Sequence, residues 1–258
     1  YDTAWEMFAQ VSMGQADAYF NELKVRGFTG AWADILAPGQ SGIHMPFEGG
    51  TVGSIVNGKV VLSQAYINKV KAVMDIADSH GMKLGLLPAW QDDYLTGSAN
   101  TRTGGTININ NSCEYGQLIL SEFGSHPALS LWIMGGDPNS NDNEHSKDIW
   151  EQMARCMNDA GNQIKIGHHG AVNSGGNYLY TDAYWLDIYA PQTGHNSTAD
   201  ETRNTLLDVK SRFNIPVWQG EGRYFNSNFP WTFARGLQNP GAAEMIADAQ
   251  AAEDAGMA

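Results

Sequence analysis

Two carboxylates stand where a catalytic pair would be built. Asp137 closes the run Leu131-Trp132-Ile133-Met134-Gly135-Gly136-Asp137, and Glu221 closes Pro216-Val217-Trp218-Gln219-Gly220-Glu221. Each run is apolar and strand-like, and each ends in Gly before the acid. A glycine there lets backbone or ligand approach closely as the chain leaves a buried strand. Strand ends of this kind line the catalytic mouth of a (β/α)8 barrel. Two opposed acids at such a mouth suit hydrolysis of a glycosidic bond. A separation of about 5–5.5 Å would make one the nucleophile, and about 6.5–9.5 Å would admit a water for inversion. An acid standing alone reads better as a helix N-cap or a solvated loop residue, so it is the pair that points to catalysis.

The elements that must position these acids alternate along the chain. Tyr1 to Trp5 reads as a strand stub, and Gln15 to Arg26 as an amphipathic helix closed by Gly27. Strand two is expected at Phe28 to Leu36. A Gly-rich excursion from Gly39 to Gly58 follows, then a helix from Gln64 to His80, strand three from Lys83 to Trp90 and a polar loop from Gln91 to Asn111. A helix from Cys113 to Phe123 leads to strand four, Leu129 to Gly136, and a helix from Lys147 to Ala160 leads to strand five, Lys165 to His169. Strand six is expected at Leu186 to Ala190, a helix at Ala199 to Phe213, strand seven at Pro216 to Gly220 and a last helix at Ala242 to Asp254. An eighth strand would begin at Met257-Ala258. Repeated βα units imply parallel strands with right-handed crossovers, and their number favours a (β/α)8 TIM barrel with its first and last strands truncated. The expectation is one catalytic domain over 1–258, a fragment of a longer chain whose signal peptide and further domains would lie outside it.

Composition narrows the function classes. The net charge is −13 and only 15 Lys and Arg are spread through the chain, which disfavours nucleic acid as a partner. No apolar run approaches the ~20 residues that span a bilayer. Neither a Gly-x-Gly-x-x-Gly turn nor a Walker loop is present, so no nucleotide cofactor is expected. No metal is expected either: His168-His169 are adjacent rather than a helical turn apart, no His-Glu-x-x-His occurs, and Asn139 to Glu144 lacks the glycine and terminal glutamate of a calcium loop. Eight Trp and ten Tyr beside many Asn, Asp and Gln fit a surface that stacks sugar rings and hydrogen-bonds hydroxyls. Cys113 and Cys156 fall early in one expected helix and late in the next. Parallel barrel helices would hold them too far apart to bridge, so two buried thiols are expected, which leaves the compartment open.

Four segments carry a resemblance: Asp2-Thr3-Ala4-Trp5-Glu6-Met7-Phe8, Gly85-Leu86-Leu87-Pro88-Ala89-Trp90, Leu131 to Asn139, and Gly220-Glu221-Gly222-Arg223-Tyr224. In this order they are similar to the apiosidase-like barrel family, glycoside hydrolase family 140 and its relatives. The resemblance implies a barrel like those of the retaining clan A hydrolases, with Asp137 as acid/base and Glu221 as nucleophile. It also implies a plant or algal polysaccharide or oligosaccharide as substrate, cleaved in an extracellular or periplasmic setting. Pro138 stands where relatives often carry a basic residue, and Gly222 where they often carry Pro.

Around the acids, Trp5 and Trp90 would form a stacking floor, with barrel core as the even alternative. Asp2, Gln91, Asn139, His169, Gln192, His195, Arg223 and Tyr224 complete the expected substrate surface. His169 would bind hydroxyls or orient Glu221, Arg223 would favour its ionised form, and His168, on the opposite strand face, would pack. The rival of another class is a catalytically silent carbohydrate-binding barrel, which has no use for two opposed acids.

Overall fold

The computed structural model describes residues 1–39, 42–95, 103, 105–136, 144–170, 180–194, 197–222, 224 and 240–256. They form an α/β fold of parallel strands and covering helices in two compact units, 1–136 with 144–166, and 167–256. Asp137, Asn139, His195, Arg223 and the expected eighth strand lie outside the described residues.

The first unit begins with β1 (Asp2–Thr3), α1 (Met7–Gln10) and α2 (Met13–Val25). Helix α2 starts where it does because Ser12 and Gln15 close a capping box, each side chain bonding the other's backbone N–H. Strand β2 (Gly30–Asp34) is buried along its whole length. The Gly-rich excursion then resolves into two small hairpins, β3 (Pro46–Phe47) with β4 (Gly50–Thr51) and β5 (Gly53–Val56) with β6 (Lys59–Leu62). The second turns on Asn57-Gly58, both at positive φ, as a two-residue hairpin requires.

Helix α3 (Gln64–Ser79), β7 (Lys83–Leu87), α4 (Gln91–Tyr94), α5 (Ser112–Phe123), β8 (Leu129–Gly135) and α6 (Glu144–Asp159) complete this unit. β1, β2, β7 and β8 pair in parallel in that order. Strand β7 packs closely because Gly85 has no side chain: a Cβ there would lie 2.7 Å from both Trp32 Cδ1 and Ile133 Cδ1. Trp32 and Ile133 are buried in the space it leaves.

The cysteines correct the sequence expectation, for Cys113 and Cys156 form a disulfide with a Cα–Cα distance of 5.3 Å. The expectation laid the helices side by side with matching ends. Instead the first turn of α5 meets the last turns of α6, and Gly116 admits Met153 and Met157 beside it. Sequence position along each helix therefore misjudged the distance through space.

The second unit takes up the chain at Gly167, within β9 (Lys165–His169), which pairs in parallel with β10 (Ile188–Tyr189). The expected strand seven is present as two parallel bridges, Tyr189 to Val217 and Gln192 to Glu221. Helix α7 (Ala199–Arg212) starts on a capping box of Thr198 and Glu201, and α8 (Ala242–Asp254) packs on it through Leu206, Ala252 and Ala255. Behind β9, His168 is buried among Tyr180, Trp185 and Tyr189, its ring centroid 3.8 Å from that of Tyr180.

Candidate active site

Glu221 is 5% exposed, and its carboxylate is surrounded by donors. His169 Nε2 lies 3.2 Å from Oε2. Gln192 donates its amide to the same oxygen at 3.0 Å, and the Tyr224 hydroxyl bonds Oε1. These three side chains come from the end of β9, from just past β10 and from three residues beyond the acid itself. The local chain explains their convergence. Gln192 and Glu221 face each other across a parallel bridge, and the Thr193 N–H donates to the Glu221 carbonyl at 2.7 Å.

A second layer holds the acid's backbone. The Thr193 hydroxyl donates to the Glu221 carbonyl at 3.2 Å and accepts from the Gln219 amide at 3.1 Å. Gly220 is required by the same packing, since a Cβ on it would lie 2.5 Å from His169 Nδ1 and overlap the Ala190 carbonyl. Those two groups bond each other at 2.9 Å. The glycine before the acid is therefore the space in which the acid's histidine partner is anchored.

The first unit offers an aromatic group at a strand end. Trp5 and Trp90 have ring centroids 5.1 Å apart, and Trp5 leans on Trp32, which stacks on Tyr1. β7 ends at Leu87, just before Pro88, and Trp90 follows with its N–H on the Leu36 carbonyl. Trp90 is 8% exposed and its indole flanks Gly136. That glycine has φ +113°, and a Cβ on it would lie 3.0 Å from Trp90 Cε3. The glycine preceding Asp137 thus makes room for an aromatic, as Gly220 makes room for an imidazole.

Other expected site residues are placed elsewhere. Gln91 is fully buried, its carbonyl accepting the Trp150 indole N–H at 2.7 Å, so it braces α6 and offers nothing to solvent. Asp2 pairs with Ala31 near the start of β2, whereas Trp5 is level with Asp34 at its end. Three residues of strand, about 10 Å, separate Asp2 from the tryptophans. Its carboxylate instead accepts the Tyr19 hydroxyl at 2.8 Å, and burial, reinforced by that charge, pushes the Tyr19 phenol far up.

Sequence reading missed Thr193 and Gln219, polar residues with no periodic signal. It also missed Asp34, which ends the apolar run Gly30 to Asp34 just as Glu221 ends its own. Asp34 is fully buried. The Tyr66 and Tyr94 phenols are pushed up by burial first, and further by neighbouring charge that includes Asp34. Among the described residues, no cluster of His, Cys, Asp and Glu is placed to hold a metal ion.

The apiosidase-like catalytic-domain model matches residues 1–239. The chain belongs to the apiosidase-like family. Solved structures similar to this apiosidase-like domain include proteins described as glycoside hydrolases. One described as a glycoside hydrolase is 17% identical with a TM-score of 0.74, covering 99% of this chain and 58% of its own. A glycoside hydrolase family 5 protein from Bacteroides vulgatus is 17% identical with a TM-score of 0.73, covering 99% and 55%. An endo-1,4-beta-mannanase from Rhizomucor miehei is 11% identical with a TM-score of 0.67, covering 99% and 83%. The domain thus spans little more than half of the first two. No curated protein sequence matches it. Family membership rests on the match over 1–239, and these solved structures share the fold of the domain.

Proposed function

We propose that this apiosidase-like domain hydrolyses a glycosidic bond in a plant or algal glycan by a retaining double displacement on the mouth of a closed (β/α)8 barrel. Glu221 is the nucleophile and Asp137 the acid/base. The observation that carries the reading is the Glu221 carboxylate, buried at a strand end with His169, Gln192 and Tyr224 around it. Such donors favour the ionised form, which a nucleophile needs. A solvated loop acid would have no use for a glutamine and a tyrosine fixed on it. In the sequence Asp137 comes two residues after the last residue of β8, Gly135, and the resemblance to the family is what supports its role as the acid.

In the first step a Glu221 oxygen bonds the anomeric carbon as the glycosidic C–O bond breaks, and Asp137 gives its proton to the leaving oxygen. In the second, water bonds that carbon, Asp137 takes the water's proton, and Glu221 leaves as carboxylate. The Cys113–Cys156 disulfide supports an extracellular or periplasmic setting, where such bonds persist.

The test is hydrolysis across a panel of plant and algal glycans by the wild type, Asp137→Asn and Glu221→Gln. Each variant is expected to fold and to lose about 10²–10⁴ of the turnover or more. Near-wild-type rates in either variant overturn the assignment. Proton NMR of the first-formed sugar reads the stereochemistry, and the inverted anomer would remove Glu221 from the nucleophile's role.

A further inference from the structure

His169 presents both ring nitrogens to oxygen atoms. Nδ1 lies 2.9 Å from the Ala190 carbonyl, and a carbonyl only accepts, so Nδ1 carries a proton. Nε2 lies 3.2 Å from Glu221 Oε2, with the two side chains 0% and 3% exposed. Were neither of these atoms protonated, two lone pairs would face each other with almost no water between them. One proton must therefore lie on this line. Oε2 already accepts the Gln192 amide at 3.0 Å, which a carboxylate does more readily than a carboxylic acid. Nε2 is the better seat for the proton.

We infer that His169 is an imidazolium in the resting enzyme and acts as the buried counter-charge of Glu221, a positioning residue that favours the second half of the reaction. This rests on the nucleophile role of Glu221 given above. In the first step a carboxylate lone pair becomes the bond of a neutral ester, the negative charge ends on Asp137 as it protonates the leaving oxygen, and the Nε2–H stays on the ester oxygen. In the second the bonding pair between Glu221 and the anomeric carbon returns to the carboxylate, which Nε2–H receives. An N⁺–H waiting for the departing carboxylate stabilises it as a leaving group.

The titratable groups about His169 include Glu221, with Tyr224 on the far side of that carboxylate, and His168 on the other strand face. Among the described residues His168 has no hydrogen-bond partner for either nitrogen, and it is held neutral by burial first and then by His169. The adjacent pair is thus divided into one uncharged packing ring and one charged site ring.

Long-range ¹H–¹⁵N NMR of the histidine rings at neutral pH tests this without any substrate. The His169 signal is assigned by its absence in His169→Gln. It is expected to show two protonated nitrogens in the wild type, and in Glu221→Gln to become the neutral ring with Nδ1–H and a bare Nε2. A bare Nε2 in the wild type overturns the inference, as does an imidazolium that persists unchanged in Glu221→Gln. The wild-type spectrum decides even if the second variant does not fold. Loss of the glycosidase reading would appear in the glycan panel and leave this spectrum standing.

Discussion

A glycine precedes each acid, and in both places the reason is a neighbouring ring. Gly220 leaves space for His169 on the Ala190 carbonyl, and Gly136 leaves space for the Trp90 indole. An apolar run ending in Gly and an acid therefore has a packing cause here. At 8% exposure Trp90 is chiefly a buried aromatic. Trp90→Ala should cost about 3–5 kcal/mol in a denaturant melt. An unchanged melt with a KM raised several-fold would show that it acts only as a sugar platform. His168 gives a different expectation. Burial first, and His169 second, hold its imidazole well below the ordinary range, so the folded state resists a proton that the unfolded chain takes up below about pH 6.5. Stability is therefore full above that pH and falls by up to about 1.4 kcal/mol per pH unit as the pH drops. His168→Phe fills the same aromatic site, removes two unpartnered nitrogens and should flatten that slope. Melts of both proteins at about pH 7 and pH 5 check it, and an identical acid-side loss in the variant would refute the cause.

At the level of elements, regular periodicity was legible and through-space proximity was not. The strands at Leu129–Gly135 and Lys165–His169 and the helices at Ala199–Arg212 and Ala242–Asp254 stand within a residue or so of where alternation and capping put them. The Gly after Arg26 is a local signal of the same kind and marks the end of its helix. The β5–β6 hairpin carried its own signal, Asn57-Gly58 between β-branched residues, which the glycines around it obscured. The disulfide had no local signal, because only the meeting of α5's first turn with α6's last turns brings Cys113 to Cys156. Closing a loop of 43 residues removes chain entropy worth about 4 kcal/mol. Reduction, or Cys113→Ala with Cys156→Ala, should lower stability by about 2–4 kcal/mol while leaving Glu221 and its donors in place. Equal melting temperatures with and without reductant would show that the bond contributes nothing.

For the molecule as a whole, the net charge of −13 sets which polymers approach readily. A neutral glycan feels no field, whereas a uronate-rich one is repelled at low salt, where the screening length is about 30 Å, and less so near 0.15 M, where it is about 8 Å. Hydrolysis of neutral substrates should vary less than about twofold over that range, and any activity on acidic glycans should rise. An acidic glycan preferred at low salt and lost on adding salt would reveal a basic subsite instead. The α/β class was legible from repeat and composition, and the place of Glu221 beside a parallel bridge from the apolar run before it; Asp137 lies outside the described residues. The clasp of Thr193 and Gln219 was not, because its meaning comes from parallel strands meeting far apart in sequence. The bond between α5 and α6 also changes what a broken chain looks like. Cys113 and Cys156 make a covalent ring that contains β8 and the run leading through Asp137. A single peptide cut anywhere inside that ring leaves the two pieces tied, so a nicked sample would keep its full mass on a non-reducing gel and separate only when thiol is added.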